Sequence, residues 1–248
     1  MKPIKPILFL LIIGVLASCA KPDIATPAPT PEAIQVLYPP TMQFWADSLA
    51  NCASKNPQIA LYYFPSFSNR DISENDIITF NLGQATQGMG NAFISQIGWD
   101  QLAVLVNVSN KTPQLSREEI QAIYSGQVSN WGEDQKLPIQ VWVLPEDDPY
   151  NEIFITAILT NHVLTSEARL APDADAMVEA ISQNPGAIGY LPESILTSSD
   201  PSQIENLKIL PIPTSLKSKL RQPVVVITQT QPLGWARQLL VCLQNTGK

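Results

Sequence analysis

The stretch Leu102–Glu133, LAVLVNVSNKTPQLSREEIQAIYSGQVSNWGE, places a strand and a capped helix in immediate succession. Leu102–Asn107 (LAVLVN) is an apolar run of strand length. Ser116 and Glu119 stand at the spacing of a capping box, in which each side chain satisfies a backbone N–H that the first helical turn leaves open. Ile120 and Ile123 follow at helical spacing, so the helix is expected over Ser116–Ser125.

The same alternation extends on both sides. Upstream, Ile34–Tyr38 (IQVLY) is a short strand ended by Pro39 and Pro40, and Thr41 is the expected N-cap of a helix that turns Phe44, Trp45, Leu49 and Cys52 inward. Ile59–Phe64 and Asp76–Phe80 are further strands, with a polar turn Ser66-Phe67-Ser68-Asn69 after the first. Downstream, Ile139–Leu144 is a strand, and Asp148 before Pro149 makes an N-cap and first-turn pair for a helix through Phe154, Ile158 and Leu159. Ala174–Gln183 reads as helix, Ala187–Tyr190, Leu207–Leu210 and Val224–Thr228 as strands, and Leu233–Gln244 as a terminal helix with Trp235, Leu239 and Leu243 on its apolar side. Short strands separated by helices predict an α/β fold with a largely parallel sheet. No internal repeat or low-complexity stretch occurs after residue 32.

Composition narrows the chemistry. The chain has 248 residues, a formal net charge of −7, 15% charged residues, 3 Cys and 1 His. A lone His162 and three Cys supply neither a multi-histidine metal site nor a Cys-rich zinc module, so no metal and no cofactor is expected. The acidic balance, without a basic cluster, argues against a nucleic-acid partner. His162 sits in Thr160-Asn161-His162-Val163 at a helix end, and Ser66 lacks a nucleophile elbow, so no catalytic residue is assigned.

The first 18 residues have the three-part pattern of a secretory signal: Lys2 and Lys5, the apolar run Ile7–Val15, then small residues. Leu16-Ala17-Ser18-Cys19 resembles the lipobox of bacterial lipoproteins, in which the Cys becomes a lipidated N-terminus. An ordinary signal peptide ending near a Cys remains the alternative. More than one acyl chain on Cys19 would anchor the protein stably. Residues 19–32, rich in Pro and small residues, read as a semi-rigid tether.

Two segments resemble a known family. Leu102–Glu133, with Ser125, Gly126, Asn130 and Trp131, is similar to the central signature of type II periplasmic solute-binding proteins of the phosphate-binding kind, and Asn184-Pro185-Gly186-Ala187-Ile188-Gly189-Tyr190 is similar to a second segment of that family. The resemblance implies a two-lobed type II periplasmic-binding-protein fold with a ligand cleft between the lobes. Lobe one would hold residues 33–105 plus 207–248, and lobe two residues 106–206. It further implies a small-molecule ligand, a partner permease of an ABC-type importer, an extracytoplasmic location and a monomer. The alternatives are an envelope sensor or interaction lipoprotein that keeps the fold without transport, and phosphate binding through altered residues. On this layout Cys52 and Cys242 share a lobe and could pair as a disulfide, or stay as two buried thiols.

Carried over residue by residue, the family's oxyanion site is altered. Its Ser turn survives as Ser66 and Ser68, and its Asp after the third strand falls at Asn81. Where the family has Arg and then Ser-Gly-Thr at a helix start, this chain has Leu144 and then Asp148-Pro149-Tyr150. An oxyanion there would meet Asp147 and Asp148, and like charges about 4 Å apart cost roughly 1 kcal/mol in water and about 4 kcal/mol near a protein surface. The expected ligand set is therefore Thr41, Ser66, Ser68, Asn81, Asp148 and Tyr150, facing a neutral polar or cationic solute, with Tyr38, Phe67, Phe80 and Asp147 as further candidate lining. Each also has a plain structural alternative: Asp148 as N-cap, the two serines as turn formers, Phe80 as core.

Overall fold

A computed structural model describes residues 31–65, 77–83, 91–132 and 137–246. The expected signal segment, Cys19, most of the tether, and Ser66, Phe67 and Ser68 lie outside the described residues. The chain runs through β1 (Glu32–Tyr38), a 3-10 turn (Pro40–Met42), α1 (Gln43–Ala53), β2 (Ile59–Pro65), β3 (Ile77–Leu82) and β4 (Phe93–Asn107). It continues with α2 (Arg117–Tyr124), β5 (Asn130–Trp131), β6 (Leu137–Pro138), β7 (Gln140–Val143), α3 (Pro149–Leu159) and β8 (Arg169–Leu170). Then come α4 (Ala174–Gln183), β9 (Ala187–Pro192), α5 (Glu193–Ser198), α6 (Pro201–Ile204), β10 (Leu207–Leu210), α7 (Thr214–Lys219), β11 (Arg221–Thr228) and α8 (Gly234–Thr246).

Among the described residues one sheet has the order β2-β1-β3-β11-β4-β9-β7-β8, with β10 also on β4. The outer pairs β1–β2, β1–β3, β7–β9 and β7–β8 are parallel, as the α/β reading expects. The centre corrects it: β11 is antiparallel to β3 and β4, and β9 and β10 are antiparallel to β4. The reason lies in β4, which changes partners partway along. Phe93–Gln101 pairs with β11, whereas Leu102–Val106 pairs with β9 and Val104–Asn107 with β10. One strand thus joins the two halves of the sheet, and β4 starts nine residues before the apolar run that marks it in sequence. Around its first half stand β1, β2, β3, β11, α1 and α8; around its second half stand β7, β8, β9, α2, α3 and α4, with β10 paired to that half, and β4 joins these two sides of the two-lobed fold.

Local chemistry explains the elements that position the cleft. β3 is buried at every position, as a strand covered on both faces requires. Pro39 and Pro40 end β1, but Thr41 does not cap α1: Pro40 starts a 3-10 turn, Thr41 lies inside it, and the N-cap is Met42, without a side-chain bond. α2 carries the capping box, with the Glu119 N–H donating to Ser116 Oγ (3.2 Å) and the Ser116 N–H to Glu119 Oε2 (2.7 Å).

The family-like motifs meet each other. Trp131 is buried, and its indole Nε1 donates to the Gly186 carbonyl (2.9 Å), which also accepts the Gln140 N–H (2.9 Å). A Cβ on Gly186 would stand 2.2 Å from the Pro138 carbonyl oxygen, so only glycine fits. Gly126 supplies a positive φ of 76° after α2. Both motifs are packing devices of the second lobe. In the first lobe α1 and α8 pack together, and a disulfide joins Cys52 to Cys242, with Cα atoms 6.0 Å apart. No described helix is long and apolar enough to cross a membrane.

Candidate ligand cleft

The start of α3 faces the start of α1 across the junction of the lobes, and the contact between them is direct. Asp148 is the N-cap of α3, and its Oδ1 accepts the Tyr150 N–H at 2.8 Å. Its Oδ2 accepts the Thr41 hydroxyl at 2.7 Å, a bond between residues 107 apart in sequence. Thr41 and Asp148 are both 0% exposed, whereas Glu146 and Asp147 beside them are exposed. Burial pushes the Asp148 carboxyl up to about 6; the Thr41 hydroxyl and the N–H groups of Tyr150 and Asn151 work in the opposite direction, and Asp147 adds to the rise. Asp148 takes part in no ion pair among the described residues.

Tyr150 links this contact to a second buried carboxylate. Its hydroxyl donates to Asp100 Oδ2 (2.7 Å), which also accepts Trp45 Nε1 of α1 (3.3 Å) and the Ser194 hydroxyl of α5. Asp100 Oδ1 accepts the N–H groups of Gln101 (2.8 Å) and Ser194 (3.3 Å). Asp100 stands on β4 next to the change of partners, so it ties α1, α3 and α5 to the strand shared by both lobes. Burial, with the Asp100 carboxylate beside it, holds the Tyr150 phenol well above its ordinary range. Tyr190 of β9 donates to Asn151 Oδ1 and accepts the Leu144 N–H (3.3 Å), which fixes the loop that leads into α3. Tyr190 also stacks on Phe154, with centroids 3.7 Å apart.

Of the expected ligand set, Thr41, Asp148 and Tyr150 come together. Asn81 is buried on β3, against which α3 packs, and its Oδ1 accepts the Leu82 N–H at 2.8 Å. Ser66 and Ser68 lie outside the described residues. Tyr38 is buried and donates to Gln43 Oε1, Phe80 is in the core, and Leu144, which the resemblance sets at the place of an Arg, is buried. Sequence reasoning missed Asp100, Ser194, Asn151 and Tyr190 as partners. For Asp100 the available signal was an acid three residues after Ile97 and two before an apolar run, which reads as a loop until β4 is seen to begin at Phe93.

Three described cavities, of about 330, 440 and 380 Å³, are not lined by Thr41, Asn81, Asp148 or Tyr150; the third opens beside the Asp100 network and is lined by Trp45, Asp100 and Ser194. No group of His, Cys, Asp or Glu among the described residues could hold a metal ion. The arrangement can clamp two lobes through neutral donors on a buried carboxylate.

Two α/β lobes sharing a long central strand, with two helix starts facing each other at the junction, define a periplasmic-binding-protein fold. Residues 67–244 match the model of the PBP superfamily domain, and the chain belongs to that superfamily. No curated protein matches the sequence. Among solved structures, the chain is similar to a phosphate ABC transporter substrate-binding protein with bound phosphate from Clostridium perfringens, at 15% identity and a TM-score of 0.70, covering 86% of this chain and 93% of that one. It is similar to an ABC-type phosphate transport receptor from Vibrio cholerae at 18% identity and a TM-score of 0.61, covering 86% and 94%. It is also similar to the regulatory domain of OxyR from Pseudomonas aeruginosa at 11% identity and a TM-score of 0.64, covering 88% and 100%. At such identities the likeness establishes the fold.

Proposed function

We propose that the protein is the solute-binding component of an ABC-type importer, anchored to a membrane through a lipidated Cys19, facing the extracytoplasmic side, and taking a neutral polar or cationic solute in place of phosphate. The observation that carries this reading is Asp148. A helix start favours anions through its free N–H groups and its dipole. Here those N–H groups already hold the protein's own carboxylate, and Asp147 adds a second negative charge at the rim. A phosphate entering the cleft would displace one anion while approaching another. Membership of the superfamily and the transport roles of the proteins from C. perfringens and V. cholerae support the importer role.

The Cys52–Cys242 disulfide supports a compartment that oxidises thiols. The division into 33–105 plus 207–248 and 106–206 is part of the proposal, with β4 and β10 as the crossing segments. The working unit is a monomer that meets a permease. A second reading, an envelope sensor or interaction lipoprotein without transport, draws support from the direct Thr41–Asp148 contact, which joins the two sides with no solute between them. A thermal-shift panel of amines, amino acids, sugars and inorganic phosphate separates the readings, because a ligand of the native state raises the melting temperature. A shift with a neutral or cationic compound supports solute capture. A shift with phosphate alone overturns the ligand class, and no shift with any compound favours the second reading.

A further inference from the structure

Solute capture does not require Thr41 and Asp148 to touch, yet they do, across the junction and out of reach of water. The carboxylate is held on its own side by the start of α3, so it cannot swing away without losing its cap. Thr41 is held inside a 3-10 turn that begins at a proline. Both partners are therefore carried by backbone that is held locally, and separating the two sides breaks the bond between them. We propose that the Thr41–Asp148 hydrogen bond is an autoinhibitory contact that holds the two lobes shut in the absence of solute, so that a solute must replace a bond of the protein itself to occupy the cleft. The biological meaning rests on the solute-binding reading above, but the contact is testable with no solute present.

Titration gives the contact a sign. The groups that bear on Asp148 are Asp147 on its own loop, Thr41 from the first lobe, and from α3 the N–H groups of Tyr150 and Asn151. Tyr150 in turn binds Asp100 on β4, and Tyr190 of β9 reaches the site through Asn151. All are neutral or negative, so the closed form holds a proton on Asp148 more tightly than an open form in which water reaches the carboxylate. By linkage, acid favours the closed form: with the closed carboxyl at about 6 and the open one near its ordinary value, the closed-to-open ratio falls about tenfold from pH ~5 to pH ~8.

Small-angle X-ray scattering of the full chain without solute tests this. At pH ~7.5, above the Asp148 midpoint, Thr41→Val, which removes the hydroxyl, is expected to increase the radius of gyration, and Thr41→Ser, which keeps it, is expected to match wild type. Equal radii for Thr41→Val and wild type overturn the proposal. Should Thr41→Val not fold, the pH series decides: a wild-type radius that grows from pH ~5 to pH ~8, with Asp148→Asn constant, supports it, and a flat wild-type series overturns it. The solute-binding reading fails separately, if no compound of the thermal-shift panel binds, and that failure leaves the scattering result standing.

Discussion

Two helix starts in the same lobe, Ser116 at α2 and Asp148 at α3, are built from the same device and do different work. Ser116 is half-exposed and closes a reciprocal box with Glu119, three residues away; everything it does is local. Asp148 is buried, caps its helix with one oxygen and reaches the other lobe with the second. The pair shows that capping chemistry alone says little about function. What separates the two is burial and the origin of the second partner, and both are set by packing far from the cap in sequence.

The contrast is sharpest in pH dependence. The folded Asp148 carboxyl lies above its unfolded value, so the stability it contributes is fully present below about pH 3.8 and is lost as pH rises through about 6. The lowered carboxyl of Glu119, held down by its bonds to Ser116, contributes stability above its unfolded value that is lost as pH falls. Asp148→Asn, which keeps an acceptor for the Tyr150 N–H without the buried charge, is therefore expected to stabilise the fold at pH ~7.5 by up to roughly 3 kcal/mol in urea denaturation. The gain should shrink towards zero at pH ~4; a gain that does not change with pH would break the comparison. Next in size, Thr41→Val removes a donor from a buried carboxylate and should cost about 2 kcal/mol at pH ~7.5, with the Asp148 midpoint moving upward in a stability–pH profile. Ser116→Ala should cost about 1 kcal/mol, with no change in the relation between the lobes. Smallest, Tyr150→Phe should cost about 1 kcal/mol or less, because Asp100 keeps Trp45, Ser194 and Gln101 as donors. A Ser116→Ala variant that alters scattering, or a Thr41→Val variant that costs nothing, would erase the distinction between the two starts.

Much of the fold was legible because it is written locally. LAVLVN, VVVIT and AIGY are apolar runs that report buried strands wherever they sit, and the capping box announces α2. The first half of β4, FISQIGWD, is not legible in this way: it mixes polar residues with a glycine, and it is a strand because β11 pairs with it from more than 100 residues away. The same distance hides the antiparallel centre of the sheet. Thr41 illustrates a different failure. A hydroxyl after two prolines reads as an N-cap, but the second proline starts the 3-10 turn itself and frees the hydroxyl for Asp148. Asp148 was legible as a cap, and the cap is there. The direct bond was not: the resemblance set Thr41 and Asp148 in one ligand set, but nothing in the sequence brings the hydroxyl onto the carboxylate itself.

The central claim is that a carboxylate of the protein stands where an oxyanion would have to bind. Calorimetric titration of inorganic phosphate into the purified protein at pH ~7.5 tests it most directly. The account predicts no saturable heat at sub-millimolar phosphate, and a dissociation constant below ~1 μM, which corresponds to about 8 kcal/mol of binding free energy, would contradict it.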